Sequence, residues 1–316
     1  MAHNNDTKTA FRTSIGGQAL IEGILMRGPQ KQAIVCRTKD GLVTKVEELR
    51  LVKEKHPILG VPFLRGVVNF LDSMVKGVQA LTYSADLLPE EEQEEPSKFD
   101  LWIEKKLGTE KANKILIWFA VFLGIGMSVG LFMLLPTLIA GLFYRVVDNH
   151  ILRNLIEGLI RIAIFLIYLF LCTRLKDIQR VFSYHGAEHK SIFCYEKGLS
   201  LTVENVRIQP RQHPRCGTSF LFVVMIISIL VFSFATWNNV WVRMLVRILL
   251  LPVVVGISYE INRWVGRHDN WLSTALAAPG KALQRLTTFE PDDSMIEVAI
   301  RALTLVIPEQ QGADKW

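Results

Sequence analysis

ILIWFAVFLGIGMSVGLFMLLPTLIAGLF, residues 115–143, contains no charged side chain. About 20 residues of α-helix, at ~1.5 Å rise per residue, cross the hydrocarbon core of a bilayer. The stretch is therefore long enough to span a membrane with a tilt, or with a bend at Pro136. Gly126 and Gly130 form a GxxxG pair, which either permits the close approach of another helix or reflects the general frequency of glycine in membrane helices.

Three further apolar runs predict membrane helices, at residues 155–172, 220–235 and 244–259. Arg153, Glu157 and Arg161 are spaced four apart at the start of the second helix, so Glu157 is expected to pair with either arginine. Arg247, with Arg243 before it, is expected to snorkel towards the interface. The sequence thus predicts a mainly α polytopic membrane protein with about four transmembrane helices and a small cytoplasmic α+β portion.

Composition agrees with a membrane protein and argues against nucleic-acid binding. Half of the 316 residues are hydrophobic and the mean hydropathy is +0.27. The net charge of +6 comes from basic residues beside the apolar runs, without a basic stripe interleaved with aromatics. Basic loops face the cytoplasm, which predicts a multi-pass protein of the plasma (cytoplasmic) membrane with both termini inside. No cleavable signal peptide and no disulfides among the four cysteines are expected.

The polar segments divide the chain into predicted regions. Ala33–Arg37 and Leu42–Leu49 flank Asp40-Gly41 and predict a β-hairpin, and residues 61–85 predict an amphipathic helix. Residues 178–197 predict a helix that ends at Gly198, and residues 201–208 predict a short strand. The predicted regions are as follows: 1–88, cytoplasmic α+β; 89–98, acidic linker; 99–173, first helix pair; 174–218, cytoplasmic loop; 219–262, second helix pair; 263–316, cytoplasmic helical tail.

His185-Gly186-Ala187-Glu188-His189 carries the most specific chemical pattern in the sequence. Histidines four residues apart on a helix share a face, so both rings can bind one divalent metal ion such as zinc. The order is the H-x-x-E-H of inverted zinc peptidases, in which the glutamate activates water. Glu188 is therefore the candidate general base.

A second cluster, His213-Pro214-Arg215-Cys216, lies in the same cytoplasmic loop just before the third apolar run. His213 is the predicted third metal ligand, Cys216 a reserve ligand, and Arg215 the residue that stabilises developing negative charge. Three interpretations stay open. The histidines are merely solvated, or His185, His189, His213 and Cys216 close a structural zinc site, or the site is catalytic. Cys216 alone is also explained as a small buried residue at a helix start.

Other polar residues have weaker assignments. Glu196 lies too far along the helix to bind the same ion and is a possible supporting residue, whereas Glu260 and His268 reach the same level if the helices are neighbours. Glu22 and Arg27 are expected to form an ion pair. The group Glu290, Asp292, Asp293 is explained best by helix capping, and Ser294 with Glu297 predicts a capping box at the helix start.

The blocks GGQALIEGILMRGP, YHGAEHKSIFCYE, LTVENVR…RQHPRCGTSFLFVVM and LTTFEPDD together resemble the YqhQ-like family of bacterial integral membrane proteins. The resemblance extends from about Ser14 to Pro308. It implies a bacterial membrane protein of unknown function, a possible metal-dependent enzyme with a metal at His185, His189 and His213. It implies no substrate.

Three functions follow as hypotheses. The first is a metal-dependent hydrolase at the cytoplasmic membrane face, whose substrate is a membrane protein segment or a lipid headgroup. The second is a non-enzymatic membrane scaffold or regulator with a structural metal. The third is a transporter, which ranks last because Glu157 is the only acid within the predicted spans. The lipid bilayer is the expected partner, and the sequence does not fix the oligomeric state.

Overall fold

The computed structural model describes residues 11–49, 57–89, 102–103, 105–106, 108–143, 147, 149–234, 239–268, 270–310 and 312–315. The predicted acidic linker, apart from its first residue, lies outside these ranges. Two compact units are present. The first consists of Met1–Leu88, Leu169–Ile227 and Pro252–Trp316, and the second of Pro89–Tyr168 and Ser228–Leu251.

The first unit contains a four-stranded antiparallel sheet with the strand order β1-β2-β3-β4. The strands are β1 (Gly16–Leu20), β2 (Gly23–Arg27), β3 (Lys31–Thr38) and β4 (Gly41–Glu48). The predicted hairpin is confirmed, but its two-residue turn is Lys39-Asp40 instead of Asp40-Gly41, since Thr38 pairs with Gly41. Gly41 has a φ of +123°, a conformation that L side chains rarely adopt.

Eight α-helices of the described residues have at least part of their length in the first unit, and six of them precede residue 268. These six are α1 (Leu64–Asp86), the end of α4 (His150–Cys172), α5 (Lys176–Glu196), α6 (Val203–Arg207), the start of α7 (Gly217–Ser233) and the end of α8 (Val240–Arg267). The unit ends with α9 (Trp271–Thr287) and α10 (Asp293–Val306). α5 and α10 pack on the sheet and share a buried core with it, which includes Ile24, Tyr184 and Val298.

The prediction of a strand at residues 201–208 is wrong. Residues Val203–Arg207 form α6, and the Thr202 hydroxyl caps it by accepting from the backbone N–H of Asn205 at 3.3 Å. The branched residues that suggested a strand instead place Val206 in the core shared with α5 and α10. The preference of these residues for β-structure is outweighed here by the Thr202 cap and by the burial of Val206.

Three helical stretches are long and apolar enough to cross a membrane: Ile115–Gly141, Ile151–Cys172 and Val240–Arg267. The first runs through α2 (Thr109–Val129), a π-helical segment (Gly130–Leu134) and α3 (Leu135–Gly141). The fourth predicted span corresponds to α7, a shorter apolar helix of 17 residues. No atom of the described residues lies within 4 Å of where a Cβ would stand on Gly126 or Gly130, so no described helix packs closely against the GxxxG pair.

The second unit holds a buried ion network in which Arg247 is 1% exposed. Its guanidinium NH2 lies 3.0 Å from Glu157 Oε2, and Arg161 reaches Oε1 of the same carboxylate at 3.4 Å. Thr137 adds a hydroxyl that donates to Oε1 at 2.7 Å. The prediction that Arg247 snorkels is therefore wrong, because its guanidinium is buried inside the unit against the Glu157 carboxylate.

Candidate metal centre

Three metal-ligand side chains meet in the first unit. His185 and His189 lie one turn apart on α5, and Cys216 immediately precedes α7. One potential ligand atom from each residue lies within 4.8 Å of the others. His185 Nε2 is 3.1 Å from Cys216 Sγ, and the two imidazole rings are 4.3 Å apart between centroids. Two nitrogens and one sulfur are a donor set that zinc accepts.

Backbone carbonyls fix the orientation of both rings. His185 Nδ1 is 2.8 Å from the carbonyl oxygen of Thr287, and His189 Nδ1 is 2.5 Å from that of Arg211. An Nδ1–H that donates to a carbonyl leaves the lone pair on Nε2, which is the arrangement usual for metal-binding histidines. His189 is 1% exposed and its Nε2 has no hydrogen-bond partner in the described residues. An orphaned buried nitrogen beside a thiol fits a metal ligand.

Cys216 has the electrostatics of a thiolate. Burial acts to raise its pKa, but when His189 and His185 are protonated, their positive charges and the hydrogen bond that His185 Nε2–H then donates outweigh burial and lower the pKa of Cys216 well below the usual value. The thiolate is the form of cysteine that binds metals. The Thr218 hydroxyl also reaches the sulfur, at 3.3 Å.

Glu188 points from α5 towards the first strand. Its Oε1 accepts the backbone N–H of Gly17 at 2.9 Å, and its Oε2 is buried without a hydrogen-bond partner in the described residues. Burial, with the nearby Cys216, raises the pKa of Glu188 against the opposing effect of His185 and His189. A carboxylate with a raised pKa is a better proton acceptor near neutral pH.

Two glycines allow these close contacts, and their role was not recognised from the sequence. A Cβ on Gly17 would lie 3.0 Å from Glu188 Cδ and 2.6 Å from the carbonyl oxygen of Leu25. A Cβ on Gly186, between the two histidines, would lie 2.1 Å from the carbonyl oxygen of Phe289. The glycine in GGQAL and the glycine inside HGAEH were the available signals.

His213 lies beside the three-residue group rather than within it. Its ring centroid is 5.7 Å from that of His189, and its Nε2 is 3.4 Å from Glu196 Oε2. Arg215 forms an ion pair with Glu196 and lies 3.4 Å from the same His213 nitrogen. Burial lowers the pKa of His213, with Glu196 opposing. Glu196 thus contacts both His213 and Arg215, and its supporting role at a metal site stays a prediction.

Two residues expected near the site have other partners. Glu260 forms an ion pair with Arg65, whose Nε donates to it at 2.7 Å. The His268 ring stacks on Trp264 and its Nδ1 is 2.8 Å from the carbonyl oxygen of that residue. Neither belongs to the group of ligand atoms found among the described residues. Both lie near the end of α8, where local contacts engage them.

The predicted ion pair between Glu22 and Arg27 is also wrong. Arg27 donates to Asp72 on α1 at 2.7 Å. Glu22 instead receives both Nε and NH2 of Arg180, at 2.5 and 2.6 Å. The two residues belong to different strand environments, because Glu22 lies in the turn between β1 and β2 and Arg27 at the end of β2.

The acidic residues before α10 cap the helix and form ion pairs with neighbouring elements. Asp292 is the N-cap and accepts the backbone N–H of Met295 at 3.0 Å, so the capping interpretation is confirmed for this residue. The capping box with Ser294 and Glu297 is wrong, because Ser294 donates to Asp292 and Glu297 pairs with Arg37. The remaining partners are Lys190 for Glu290 and Arg207 for Asp293.

Comparison with known proteins identifies relatives without a known activity. Residues 61–309 match the family model described as "Protein of unknown function (DUF1385)". The chain is 33% identical over 297 residues to the uncharacterized protein YqhQ of Bacillus subtilis (strain 168), which covers 91% of this chain and 90% of the relative. No solved structure gives a significant match.

Proposed function

This chain belongs to the DUF1385 family and is similar to YqhQ, neither of which has a described activity, and from its own site we propose that it is a metal-dependent hydrolase at the cytoplasmic face of the plasma membrane. Its ligands are His185, His189 and Cys216, the ion is zinc or a similar divalent metal, and the substrate is membrane-associated. Arg215 and His213, predicted as catalytic residue and ligand, become positioning residues in this proposal.

One observation carries the proposal: three, not four, ligand atoms converge among the described residues. Structural zinc sites are closed by four protein ligands, whereas catalytic sites have three and leave a position for water or substrate. His213 is the candidate for a fourth ligand, but its Nε2 faces Glu196 and Arg215. This favours a catalytic over a structural site.

Different residues of the chain have separate roles in the proposed hydrolysis. When bound, a zinc-type ion supplies Lewis acidity and a water nucleophile at neutral pH. Glu188, held by the Gly17 N–H, accepts a proton from the attacking water and returns it to the leaving group. Cys216 as a thiolate would add a negative charge to the ligand set, and the carbonyls of Thr287 and Arg211, by engaging Nδ1, leave both Nε2 lone pairs available to hold an ion.

The packing of the first unit supports four membrane crossings. β2, α5 and α10 contribute to one core, through Ile24, Tyr184 and Val298. Segments that share a core lie on the same side of a bilayer, so the chain crosses an even number of times between each pair. Two long helices separate the sheet from α5. α7 and α8 separate α5 from α10, which makes α7 the remaining crossing. Its 17 residues extend about 26 Å, close to the hydrocarbon thickness.

Basic residues support the cytoplasmic placement of this unit. The loop between α4 and α7 carries Arg174, Lys176, Arg180, Lys190, Lys197, Arg207, Arg211 and Arg215. The positive-inside rule places such loops in the cytoplasm, and with them the sheet, both termini and the candidate metal centre.

The proposal is tested by Glu188→Gln in full-length protein purified in detergent and loaded with zinc. We expect equal zinc content in the variant and the wild type, and a kcat on p-nitrophenyl acyl esters about 10²–10⁴-fold lower in the variant. A non-enzymatic scaffold predicts the opposite: wild-type protein that binds zinc without hydrolysis, a silent Glu188→Gln, and unfolding of residues 174–218 in His185→Ala. That result would refute the hydrolase.

A further inference from the structure

Residues 58–64, ILGVPFL, lead into the start of α1 and contain no polar side chain. They continue from a 3₁₀-helix, Pro57–Gly60, and we call them the apolar tip. Four of its seven residues are between 44% and 75% exposed: Ile58, Val61, Phe63 and Leu64. An exposed apolar surface this continuous marks a site of interaction with a protein or a membrane.

The backbone at Phe63 turns the chain sharply into α1. Phe63 has a φ of +67° and a ψ of −55°, and the Leu64 N–H donates to the Pro62 carbonyl oxygen at 2.9 Å, which together form a γ-turn. Glycine adopts a positive φ without strain, whereas an aromatic residue does not. The Phe63 side chain is exposed, so burial among the described residues does not offset this strain. Folding alone therefore does not explain an aromatic ring at this position.

α1 and the end of α8 run side by side in the same direction, starting from the apolar tip. A Cβ on Gly256 would lie 3.1 Å from the Phe63 carbonyl oxygen, and a Cβ on Gly66 would lie 2.7 Å from Tyr259 Cβ. Asn69, further along α1, donates to the Tyr259 hydroxyl at 2.9 Å. Phe63 is therefore level with Gly256 on α8.

The level of Gly256 is inside the apolar part of α8. Residues 248–259 carry no charge, and α8 is one of the described helices long and apolar enough to cross a membrane. Arg263 follows Gly256 by seven residues, which is about 10 Å along the helix axis. When α8 crosses the bilayer with Arg263 at the cytoplasmic interface, Phe63 lies among the acyl chains.

The backbone of the apolar tip is compatible with this depth. Irregular chain is tolerated in the hydrocarbon region where it packs on protein and its N–H groups have acceptors. Pro62 has no N–H. The other N–H groups of residues 61–66 donate, in order, to the Ile58 carbonyl, to Glu260 Oε1, and to the carbonyls of Pro62, Val61 and Phe63. Arg65, the first charge after the tip, is neutralised by its ion pair with Glu260.

We infer that the apolar tip inserts into the acyl-chain region of the cytoplasmic leaflet beside α8, without crossing the membrane, and that α1 leads the chain back to the cytoplasm. Lipid is the occupant of this surface, because the surface continues an exposed part of α8 that includes Val253, one turn before Gly256. The inference goes beyond the proposed hydrolysis and depends only on the proposed crossing by α8.

The test places the photo-crosslinker p-benzoylphenylalanine at Phe63 in full-length protein reconstituted into vesicles of phosphatidylglycerol and phosphatidylethanolamine. The crosslinker at Val253 is the positive control, and at the similarly exposed Val46 on β4 the negative control. Lys45, next to Val46, lies over the Tyr83 ring, which is 20 residues and about 30 Å along α1 from Phe63. After irradiation, mass spectrometry should find similar yields of lipid adducts at Phe63 and Val253 and a loss of adducts at Val46.

Adducts at Val253 without adducts at Phe63 overturn the inference and leave the crossing by α8 intact. Loss of adducts at both positions overturns the inference together with that crossing. Equal yields at Phe63 and Val46 also overturn it. Cross-links from Phe63 to a second copy of the chain in the vesicles, or to another protein in intact cells, overturn it in favour of a protein partner. Zinc content and ester hydrolysis are measured on the wild type, so the hydrolase and the inserted tip fail separately.

Discussion

Gly17 is the residue of the sheet that positions the candidate base, Glu188. Its N–H binds Glu188 Oε1, and its missing side chain leaves room for that carboxylate. The histidines depend in the same way on backbone atoms, since the carbonyls of Thr287 and Arg211 set the orientation of the two rings. Backbone atoms from three distant segments therefore orient His185, Glu188 and His189, which are close together in the sequence.

We expect Gly17→Ala to reduce ester hydrolysis by about tenfold or more, because a Cβ 3.0 Å from Glu188 Cδ must displace the carboxylate. Gly16→Ala is the matched control, since nothing lies within 4 Å of a Cβ at that neighbouring position. Hydrolysis rates and zinc content of the two purified variants make the comparison. Equal rates would show that the Gly17 contact does not position Glu188.

The sequence could predict part of this site. The four-residue spacing of His185 and His189 on a helix was sufficient to place their rings together, as the structure has them. The meeting of Cys216 with those rings, and the turn of His213 towards Glu196, depend on how α5, α7 and α9 pack. Gln284 on α9 illustrates this, because its side chain both accepts from the His213 N–H and donates to the His213 carbonyl. No periodicity encodes such contacts.

At the scale of elements, the ends of helices were harder to predict than their existence. The helix predicted at residues 178–197 is α5 (Lys176–Glu196), and Gly198 adopts the expected left-handed φ of +68°. The start of α10 was misassigned because several capping residues compete in Glu290-Pro291-Asp292-Asp293-Ser294, and Asp292 is the one whose carboxylate reaches Met295 N–H. Competing side-chain caps differ too little in intrinsic preference to be ranked from sequence.

Asp292→Ala is expected to lower the free energy of unfolding by about 1 kcal/mol, and Asp292→Asn by less because an amide oxygen still caps. Burial opposes ionisation of Asp292, but hydrogen bonds from Ser294 and the Met295 N–H hold its pKa below the usual 3.8. The folded pKa is depressed, so this stability is present above pH 3.8 and is lost as the pH falls through the folded pKa.

Thermal unfolding of wild type, Asp292→Ala and Asp292→Asn between neutral and acid pH measures this effect. The advantage of wild type over Asp292→Asn should be constant near neutrality and shrink in acid. An advantage that grows in acid would contradict the sign argued for Asp292.

The buried ion network of the second unit gives a prediction for the helices it joins. Glu157→Gln leaves the buried Arg161 and Arg247 without their counter-charge and should cost about 3–5 kcal/mol, whereas Arg247→Met leaves Glu157 paired with Arg161 and should cost less. The double variant should lose less than the sum, because Glu157 and Arg247 bind each other. Unfolding in detergent is the measurement. Additive losses would show that the two side chains are not coupled.

At the scale of the whole molecule, the core shared by β2, α5 and α10 requires an even number of membrane crossings between these elements. The sequence predicted four spans from hydropathy alone, and three long apolar helices and one of 17 residues are present in the described chain. The sheet was predicted only as a hairpin, because β1 and β2 are short and glycine-bearing and lack a clear alternating pattern. Long-range packing of α10 on β2 and β3 was not predictable from local patterns.

Reporter fusions in a bacterium test the proposed topology. Alkaline phosphatase is active outside the cytoplasm, so a fusion at residue 148 or 237 should be active, and one at residue 89 or 200 inactive. An inactive fusion at 237, with an active one at 148, would mean that α7 does not cross the membrane. α5 and α10 would then be separated by α8 alone and lie on opposite sides of the membrane, which is incompatible with their shared core.

X-ray absorption at the zinc edge tests the central claim, a metal held by two imidazoles and one thiolate, most directly. Wild-type protein should show one sulfur at about 2.3 Å and two imidazole nitrogens at about 2.0–2.1 Å, with a further light-atom ligand. The sulfur shell should disappear in Cys216→Ser, and zinc should be lost in His185→Ala/His189→Ala. A spectrum without sulfur, or zinc retained by the double histidine variant, would contradict the assignment.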